Sequence, residues 1–147
     1  MRVSAKGDYA IRAMADLALQ FGQGLVPIQD VAHRQGIPQR YLEQVLLLLK
    51  RAGFLVSRRG SAGGYRLARP PEAISVGDVL RAVEGNLGPP ETPRGARPVH
   101  GGSDRDLAEL WEEVADAVAA VLDRTTFAAL AERARVRRSR TRPVYHI

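Results

Sequence analysis

The chain has 147 residues, of which 45% are hydrophobic, and it contains no cysteine. This length suits one hydrophobic core with an appendage rather than two full-sized domains. Without cysteine, disulfides, thiolate metal sites and thiol nucleophiles are excluded. The sequence has neither a run of about 18 apolar residues nor a signal peptide at its start, and it therefore predicts a cytoplasmic protein with no membrane partner.

The net charge of +6 is distributed unevenly. Residues 1–70 carry 11 Lys and Arg against 4 Asp and Glu, whereas residues 71–132 carry 5 against 12. The last 15 residues hold six arginines and no acid. A basic half followed by an acidic segment is typical of a polyanion-binding module joined to a self-associating segment. A chance scatter of solvated charges is the alternative.

Apolar periodicity predicts three helices in the first third of the chain. The first runs from Lys6 to Phe21, the second is IQDVAHRQ and ends at Gly36, and the third runs from Pro38 to Gly53. The short turn between the second and third is typical of a helix-turn-helix, whose second helix lies in the DNA major groove. The same spacing also occurs in helical bundles that are built for packing alone.

A hairpin is predicted directly after the third helix. Residues 54–58 and 64–67 have the pattern of short strands, and RGSAG joins them. A helix-turn-helix followed by a basic hairpin is a winged helix. Glycines let the backbone approach a phosphate or enter a narrow groove, while Arg58 and Arg59 can neutralise phosphates or reach base edges. An ordinary hairpin with solvated arginines is the alternative, and RGSAG matches no nucleotide-binding loop.

The second half of the chain begins with a helix that a Ser75–Asp78 capping box starts and Gly85 ends. Residues 86–102 are rich in Pro and Gly and predict an exposed loop. A long helix from Ser103 follows, with an apolar stripe too long for a small domain to cover. After a short helix, residues 132–147 are predicted to be a disordered basic tail, which either adds nonspecific DNA affinity or has no role.

Three motifs occur in order along the chain: YLEQ in the third helix, RGSAGGY in the wing, and VGDVLRAVEG in the helix after Ser75. With them, residues 1 to about 131 resemble the Rrf2 family of bacterial transcriptional regulators. The resemblance implies a mainly α fold with a small β-hairpin, comprising a winged helix-turn-helix domain over residues 1–85 and, over residues 103–131, a long C-terminal dimerisation helix followed by a short helix. It also implies a sequence-specific regulator, predicted to be a repressor, that binds a palindromic operator in double-stranded DNA as a homodimer.

The resemblance assigns roles to individual residues. Arg40, Glu43 and Gln44 would face the major groove, which agrees with carboxylate recognition of cytosine and arginine recognition of guanine. Tyr41 would hold a phosphate or pack beneath the helix, and Tyr65 is equally suited to packing. The predicted DNA-binding residues are Lys6, Gln39, Arg40, Tyr41, Glu43, Gln44, Arg58, Arg59, Gly60, Ser61, Gly63, Gly64 and Tyr65. The predicted dimer interface consists of Leu107, Leu110, Trp111, Val114, Val118, Val121 and Leu122.

Many members of the resembled family hold an iron-sulfur cluster with three cysteines, and this chain has none. Because such ligation rests on thiolates, we predict no cluster, no metal and no other cofactor. His33, His100 and His146 are isolated and are not expected to bind a metal. An enzyme is not predicted, because no nucleophile and base occur at motif spacing. The alternative function is an interaction protein on the same fold that binds an enzyme or a small-molecule effector.

Overall fold

The computed structural model describes residues 3–85, residue 87 and residues 103–141. This part of the chain forms six α-helices and one two-stranded antiparallel sheet. In chain order the elements are α1 (Ala5–Leu19), α2 (Ile28–Gln35), α3 (Gln39–Arg51), β1 (Leu55–Arg58), β2 (Gly64–Leu67), a 3-10 turn (Pro71–Ala73), α4 (Val76–Glu84), α5 (Ser103–Arg124) and α6 (Phe127–Thr141). The predicted mainly α fold with one hairpin is confirmed. Apart from Leu87, the predicted loop over residues 86–102 lies outside the described residues.

A three-residue turn separates α2 from α3. Gly36 has a φ of 62°, and its N–H donates to carbonyl oxygens of the last turn of α2, which ends the helix. Ile37 is buried and fixes the turn to the core. Pro38 is the N-cap of α3, so the helix begins at Gln39, one position after the predicted start. The two helices therefore form the predicted helix-turn-helix.

The hairpin is attached to the rest of the fold through the segment that precedes α2. Its register runs from the pair Leu55–Leu67 to the pair Arg58–Gly64. Val26 and Tyr65 exchange two backbone hydrogen bonds, of 2.8 Å and 2.9 Å between N and O. Leu55 and Leu67, which pair at the base of the hairpin, are buried in the hydrophobic core. The hairpin base is thereby fixed, and the loop of residues 59–63 projects from it as the wing.

The hydrophobic core surrounds α1, which packs against α2, α3, α4 and α6. Its buried side chains come from both ends of the chain, because Phe127 and Ala131 of α6 are 0% and 1% exposed. The predicted domain boundary at residue 85 leaves these two residues out. The largest fully buried side chains include Met14, Leu17, Leu42, Leu46, Leu49, Leu80 and Phe127.

The junction between α5 and α6 is hydrogen-bonded to the start of α4. The N–H of Val76 donates to the carbonyl of Thr125 at 2.8 Å, and the N–H of Phe127 donates to the carbonyl of Ile74 at 3.0 Å. The predicted capping box is confirmed, because Ser75 and Asp78 each accept from the backbone N–H of the other. The N-terminus of α4 is thus both capped and joined to the C-terminal helices.

A bidentate ion pair holds α5 against α4. Arg81 donates to both carboxylate oxygens of Asp123, at 2.6 Å and 2.9 Å. This hydrogen bonding lowers the pKa of Asp123 and raises the pKa of Arg81. The ion pair therefore stabilises the fold at pH values above the unfolded-state pKa of the aspartate. This stabilisation is lost as the pH falls through the lowered folded-state pKa.

Helix α6 continues through Thr141, which corrects the prediction of a disordered tail from residue 132. Ala, Arg and Glu have high helix propensity, and no Gly or Pro occurs between Phe127 and Thr141. Arg135 also pairs with Glu132, one turn earlier in the helix. The arginines of residues 132–141 therefore lie on a helix, while residues 142–147 lie outside the described part. No helix described here is long and apolar enough to cross a membrane.

Candidate nucleic-acid interface

One face of α3 is polar and exposed, and the opposite face is buried. Its core side comprises Leu42, Val45, Leu46 and Leu49. The predicted residues Gln39, Arg40, Tyr41, Glu43 and Gln44 are all exposed. The side chain of Tyr41 is 56% exposed, so the alternative that it packs beneath the helix is wrong. The helical repeat places Arg40, Glu43 and Gln44 on one side of α3, where they can meet a ligand together.

The wing presents two arginines to solvent. Arg58, Arg59, Gly60 and Ser61 are exposed, and neither arginine forms an ion pair within the described ranges. Gly60 has a φ of 108°, a conformation that favours glycine, and its carbonyl accepts a 3.0 Å hydrogen bond from the N–H of Gly63. This turn brings two uncompensated cations to the end of a narrow hairpin, a shape that fits a nucleic-acid groove.

The last three predicted wing residues have clear roles within the fold itself. A Cβ at Gly63 would lie 2.1 Å from the carbonyl oxygen of Arg58, and one at Gly64 would lie 2.2 Å from that of Val26. Tyr65 is half-buried and packs against the core. Glycine is therefore required at positions 63 and 64 by close approach of the protein backbone, whereas the sequence assigned these residues to DNA contact.

Lys6 lies in the first turn of α1, and it is exposed. That turn is fixed by Ser4, whose hydroxyl accepts from the N–H of Gly7 at 3.1 Å. The N–H of Ser4 in turn donates to the Glu84 carboxylate at 3.0 Å, which joins the start of α1 to the end of α4. Lys6 therefore lies at a helix start that hydrogen bonds hold in place, and its ammonium group can contact a phosphate there.

A buried ion pair sets the position of the helix-turn-helix on α1. Asp16 is 1% exposed, and among the described residues it is the one charged residue that is buried in the core. Arg34 donates to its two oxygens at 2.9 Å each, and Gln35 donates at 3.1 Å. The hydrogen bond to Asp16 raises the pKa of Arg34. Because Arg34 and Gln35 end α2, this contact fixes the helix that braces α3.

Sequence analysis did not identify every exposed residue of α3. Leu47, Lys50 and Arg51 are also exposed on this helix. They follow Glu43 or Gln44 by three, four or seven residues, and this spacing could have placed them on the same helix face in the sequence analysis. Lys50 and Arg51 extend the cationic character of the surface to the C-terminal end of α3.

The apolar stripe of α5 is largely open to solvent. Five of its predicted interface residues are 41–51% exposed: Leu107, Leu110, Trp111, Val114 and Val121. Val118 is half-buried. Leu122 is half-buried and packs against the core of its own domain, so only part of its side chain is open to a partner. Contiguous exposed apolar side chains of this extent mark an interaction surface.

The residues present do not fit a cysteine-ligated cluster. The sequence has no cysteine, and the described residues contain no group of three His, Cys, Asp or Glu that could hold a metal ion. His33 is exposed on α2. His100 and His146 lie outside the described residues. The thiolates on which iron-sulfur ligation rests are thus missing from the donor set.

The helix-turn-helix, the arginine-bearing wing and the exposed face of α3 define a winged-helix DNA-binding transcriptional regulator. A family model described as "Rrf2: Iron-dependent Transcriptional regulator" matches residues 3–133. The chain belongs to the Rrf2 family, as predicted.

Two named regulators illustrate the relationship. The HTH-type transcriptional regulator CymR of Bacillus subtilis is 37% identical over 131 residues, which cover 89% of this chain and 90% of that protein. The HTH-type transcriptional regulator IscR of Aliivibrio salmonicida is 38% identical over 84% of this chain and 73% of its own length. These relatives are named as transcriptional regulators, in agreement with the prediction that the chain is not an enzyme.

Solved structures of the family share the fold. The structure of CymR, described as the global cysteine regulator of B. subtilis, superposes with a TM-score of 0.78 at 36% identity and covers 90% of this chain and 98% of that one. The structure of T. potens IscR gives a TM-score of 0.74 at 34% identity and covers 99% of this chain and 94% of that one. The predicted winged helix with a long C-terminal helix is thereby confirmed.

Proposed function

We propose that this protein is a sequence-specific repressor that binds a palindromic operator as a homodimer and needs no cysteine-ligated cluster. The observation that carries the proposal is the exposed set of polar side chains on α3 beside a wing with two unpaired arginines. A protein of this size acts most simply by occupying its operator, because occupancy excludes other proteins from the same DNA. Repression is therefore the proposed sense of regulation.

The exposed face of α3 supplies the chemistry of direct base readout. Arg40 can donate two hydrogen bonds to guanine O6 and N7, Glu43 can accept from cytosine N4, and Gln44 can pair with adenine. The hydroxyl of Tyr41 and the amide of Gln39 can bind phosphate oxygens. The helix thus combines side chains that select bases with side chains that hold the backbone.

The wing supplies the second contact with DNA. Arg59 would enter the adjacent minor groove at the turn that Gly60 and Ser61 form, while Arg58 and Lys6 would neutralise phosphates. Gly63, Gly64 and Tyr65 support this contact by shaping and anchoring the hairpin. Because the planar guanidinium of arginine presents five N–H donors in a rigid arrangement, Arg59 can bind base edges as well as phosphates.

Dimerisation through α5 explains why its stripe is open. The C-terminal end of α5 is held to α4 by the ion pair of Asp123, and Leu122 packs against the core, while the exposed stripe extends back to Leu107. A second copy that packs the same stripe against it would form an isologous two-fold dimer. Two recognition helices related by that axis would read half-sites about one helical turn, roughly 34 Å, apart.

Substitution of Leu110 by Asp is expected to dissociate this dimer. Burial of a leucine is worth roughly 1.5–3 kcal/mol and each 1.4 kcal/mol is tenfold, so the dimer Kd should rise at least about tenfold. Sedimentation equilibrium measures the change, with circular dichroism to verify that the helices are retained. The control is Glu112→Ala on the opposite face of α5, which should leave the Kd unchanged. A Leu110→Asp protein that stays dimeric at the wild-type Kd contradicts the interface.

Fluorescence anisotropy tests the proposed function directly. The full chain is titrated onto labelled DNA from its own upstream region and onto a scrambled duplex, over a series of salt concentrations. Specific regulators typically bind their operator at least about 10³-fold more tightly than other DNA. A gap of that size at physiological salt supports the proposal. Equal binding to both duplexes that vanishes with salt argues against it and favours the interaction-protein alternative.

Removal of one wing arginine should weaken operator binding. Arg59→Ala is expected to cost about 1–3 kcal/mol of binding free energy if Arg59 reads a base edge. The control is Arg105→Ala on α5, since the Arg105 side chain is 87% exposed and lies outside the predicted DNA surface. Anisotropy on the operator measures both variants. Wild-type affinity in Arg59→Ala would exclude the wing from the mechanism.

An effector is proposed as a further partner, either a small molecule or an enzyme. The acidic face of α5 carries Glu112, Glu113 and Asp116, which are exposed and form no ion pair within the described ranges. Such a face suits a basic partner surface. Addition of the effector should change operator affinity, because binding at two coupled sites is reciprocal.

A further inference from the structure

Leu47 is an apolar residue near the centre of the polar face of α3. Its side chain is 43% exposed. At about 100° per residue, Leu47 falls between the directions of Glu43 and Gln44, one turn earlier, and of Lys50 and Arg51, one turn later. All four of these neighbours are exposed. Leu47 thus points away from the core, into the surface that carries the proposed base contacts.

The other leucines of the LLLL run have a packing role. Leu46 and Leu49 are fully buried, and Leu48 is half-buried against the core. Exposed single leucines are common on protein surfaces, so exposure alone assigns no function to Leu47. The position of Leu47 does point to a function, because the DNA major groove would enclose a side chain at the middle of the recognition helix.

We propose that Leu47 reads thymine in each operator half-site through contact with the C5-methyl group. This inference rests on the proposed DNA-binding function and names part of the sequence that is bound. Among the base edges of the major groove, the thymine methyl is the apolar group, and aliphatic side chains recognise it by contact. Arg40, Glu43 and Gln44 recognise the polar edges, so Leu47 adds a preference that they cannot supply.

The helix geometry also locates the thymine. Leu47 lies four residues after Glu43, which is about 6 Å along the helix axis at 1.5 Å per residue. With base pairs stacked about 3.4 Å apart, the thymine lies about two base pairs from the position that Glu43 contacts. Each half-site of a palindrome contains the position once, so a dimer makes the contact twice.

Replacement of thymine by deoxyuridine removes this methyl group and leaves base pairing intact. The operator is first obtained by selection from random duplexes with the wild-type protein. Each thymine is then replaced in turn, and anisotropy gives the affinity of wild type and of Leu47→Ala. Loss of one methyl contact should weaken wild-type binding about fourfold for each half-site. Leu47→Ala should be weaker on the thymine operator and insensitive to the same replacement.

Two controls isolate the contact. Leu47→Met keeps an apolar side chain of similar volume and should retain sensitivity to deoxyuridine. Val136→Ala removes an equally exposed apolar side chain from α6 and should bind like wild type. Because Leu47 is exposed, thermal unfolding of Leu47→Ala should match that of wild type, which separates a lost contact from a lost fold.

The outcomes separate this inference from the proposed function. A selected operator that binds specifically, with equal sensitivity to deoxyuridine in wild type and Leu47→Ala, overturns the thymine contact and leaves the regulator intact. A change in dimerisation but not in DNA binding for Leu47→Ala also overturns it. If selection with wild type enriches no sequence, both the proposed function and the contact are refuted.

Discussion

Replacing Phe127 with alanine should lower the free energy of unfolding by about 3–5 kcal/mol, the usual cost of removing a large aromatic side chain from a packed core. Phe127 is 0% exposed although it begins the last described helix. It packs with residues of the helix-turn-helix domain, and its N–H donates to the carbonyl of Ile74. Urea denaturation followed by circular dichroism measures the change.

The control for this prediction is Leu130→Ala, three residues along the same helix. Leu130 is half-buried, so its truncation should cost clearly less than that of Phe127. The variant Phe127→Ala should also lose operator binding at a lower temperature than wild type, because α6 and the DNA-binding domain share one core. A cost below about 1 kcal/mol for Phe127→Ala would show that α6 is not part of the cooperative unit.

Replacing Asp16 with alanine is expected to destabilise the protein by about 3 kcal/mol. Removal of one partner from a buried ion pair typically costs about 3–5 kcal/mol, because the remaining charge is left uncompensated. The lower end applies here because the Arg34 side chain is 34% exposed and can reach water. Urea denaturation gives the stability, and anisotropy on the operator gives the effect on DNA binding.

The matched variant Asp16→Asn separates charge from shape. Asparagine keeps the volume and one oxygen that can accept from Arg34 and Gln35, but it loses the negative charge that strengthens these hydrogen bonds. Asn should therefore be destabilising but less so than alanine. If Asp16→Ala is as stable as wild type, the buried pair does not hold α2 in place.

The direction in which the pKa of Arg34 is shifted decides how the stability contributed by the Arg34–Asp16 pair depends on pH. The hydrogen bond to Asp16 raises the pKa of Arg34, so this contribution is fully present below the unfolded-state pKa of the arginine. It is lost only as the pH rises through the raised folded-state pKa. A titration of stability in the neutral range should therefore reveal no loss that arises from Arg34.

Local features of the sequence predicted the elements well because local chemistry determines them. Apolar spacing identified α1, α2, α3 and α5, Gly36 marked the end of α2, and the Ser75–Asp78 capping box marked the start of α4. The polar face of α3 followed from the same periodicity. The basic end of α6 was missed because it lacks an apolar stripe, although its residues have high helix propensity.

Features that depend on tertiary contact could not be predicted in the same way. Asp16 and Arg34 are 18 residues apart, and only the packing of α1 on α2 brings them together. Leu122 fits the stripe of α5 by spacing, and its additional packing against the domain core could not be seen from that spacing. Leu47 stands in a run of four leucines that reads as core, and its exposure depends on the direction in which α3 is buried.

The placement of Phe127 and Ala131 also determines when this protein can become active during its synthesis. Among the described residues, the other buried ones lie at or before Val83, so a nascent chain of that length lacks Phe127 and Ala131, which complete the core. Translation at about 5–20 residues per second adds the missing helices seconds later. The DNA-binding domain should therefore mature only after the long α5 helix has been made, and an unfinished chain should not compete for the operator.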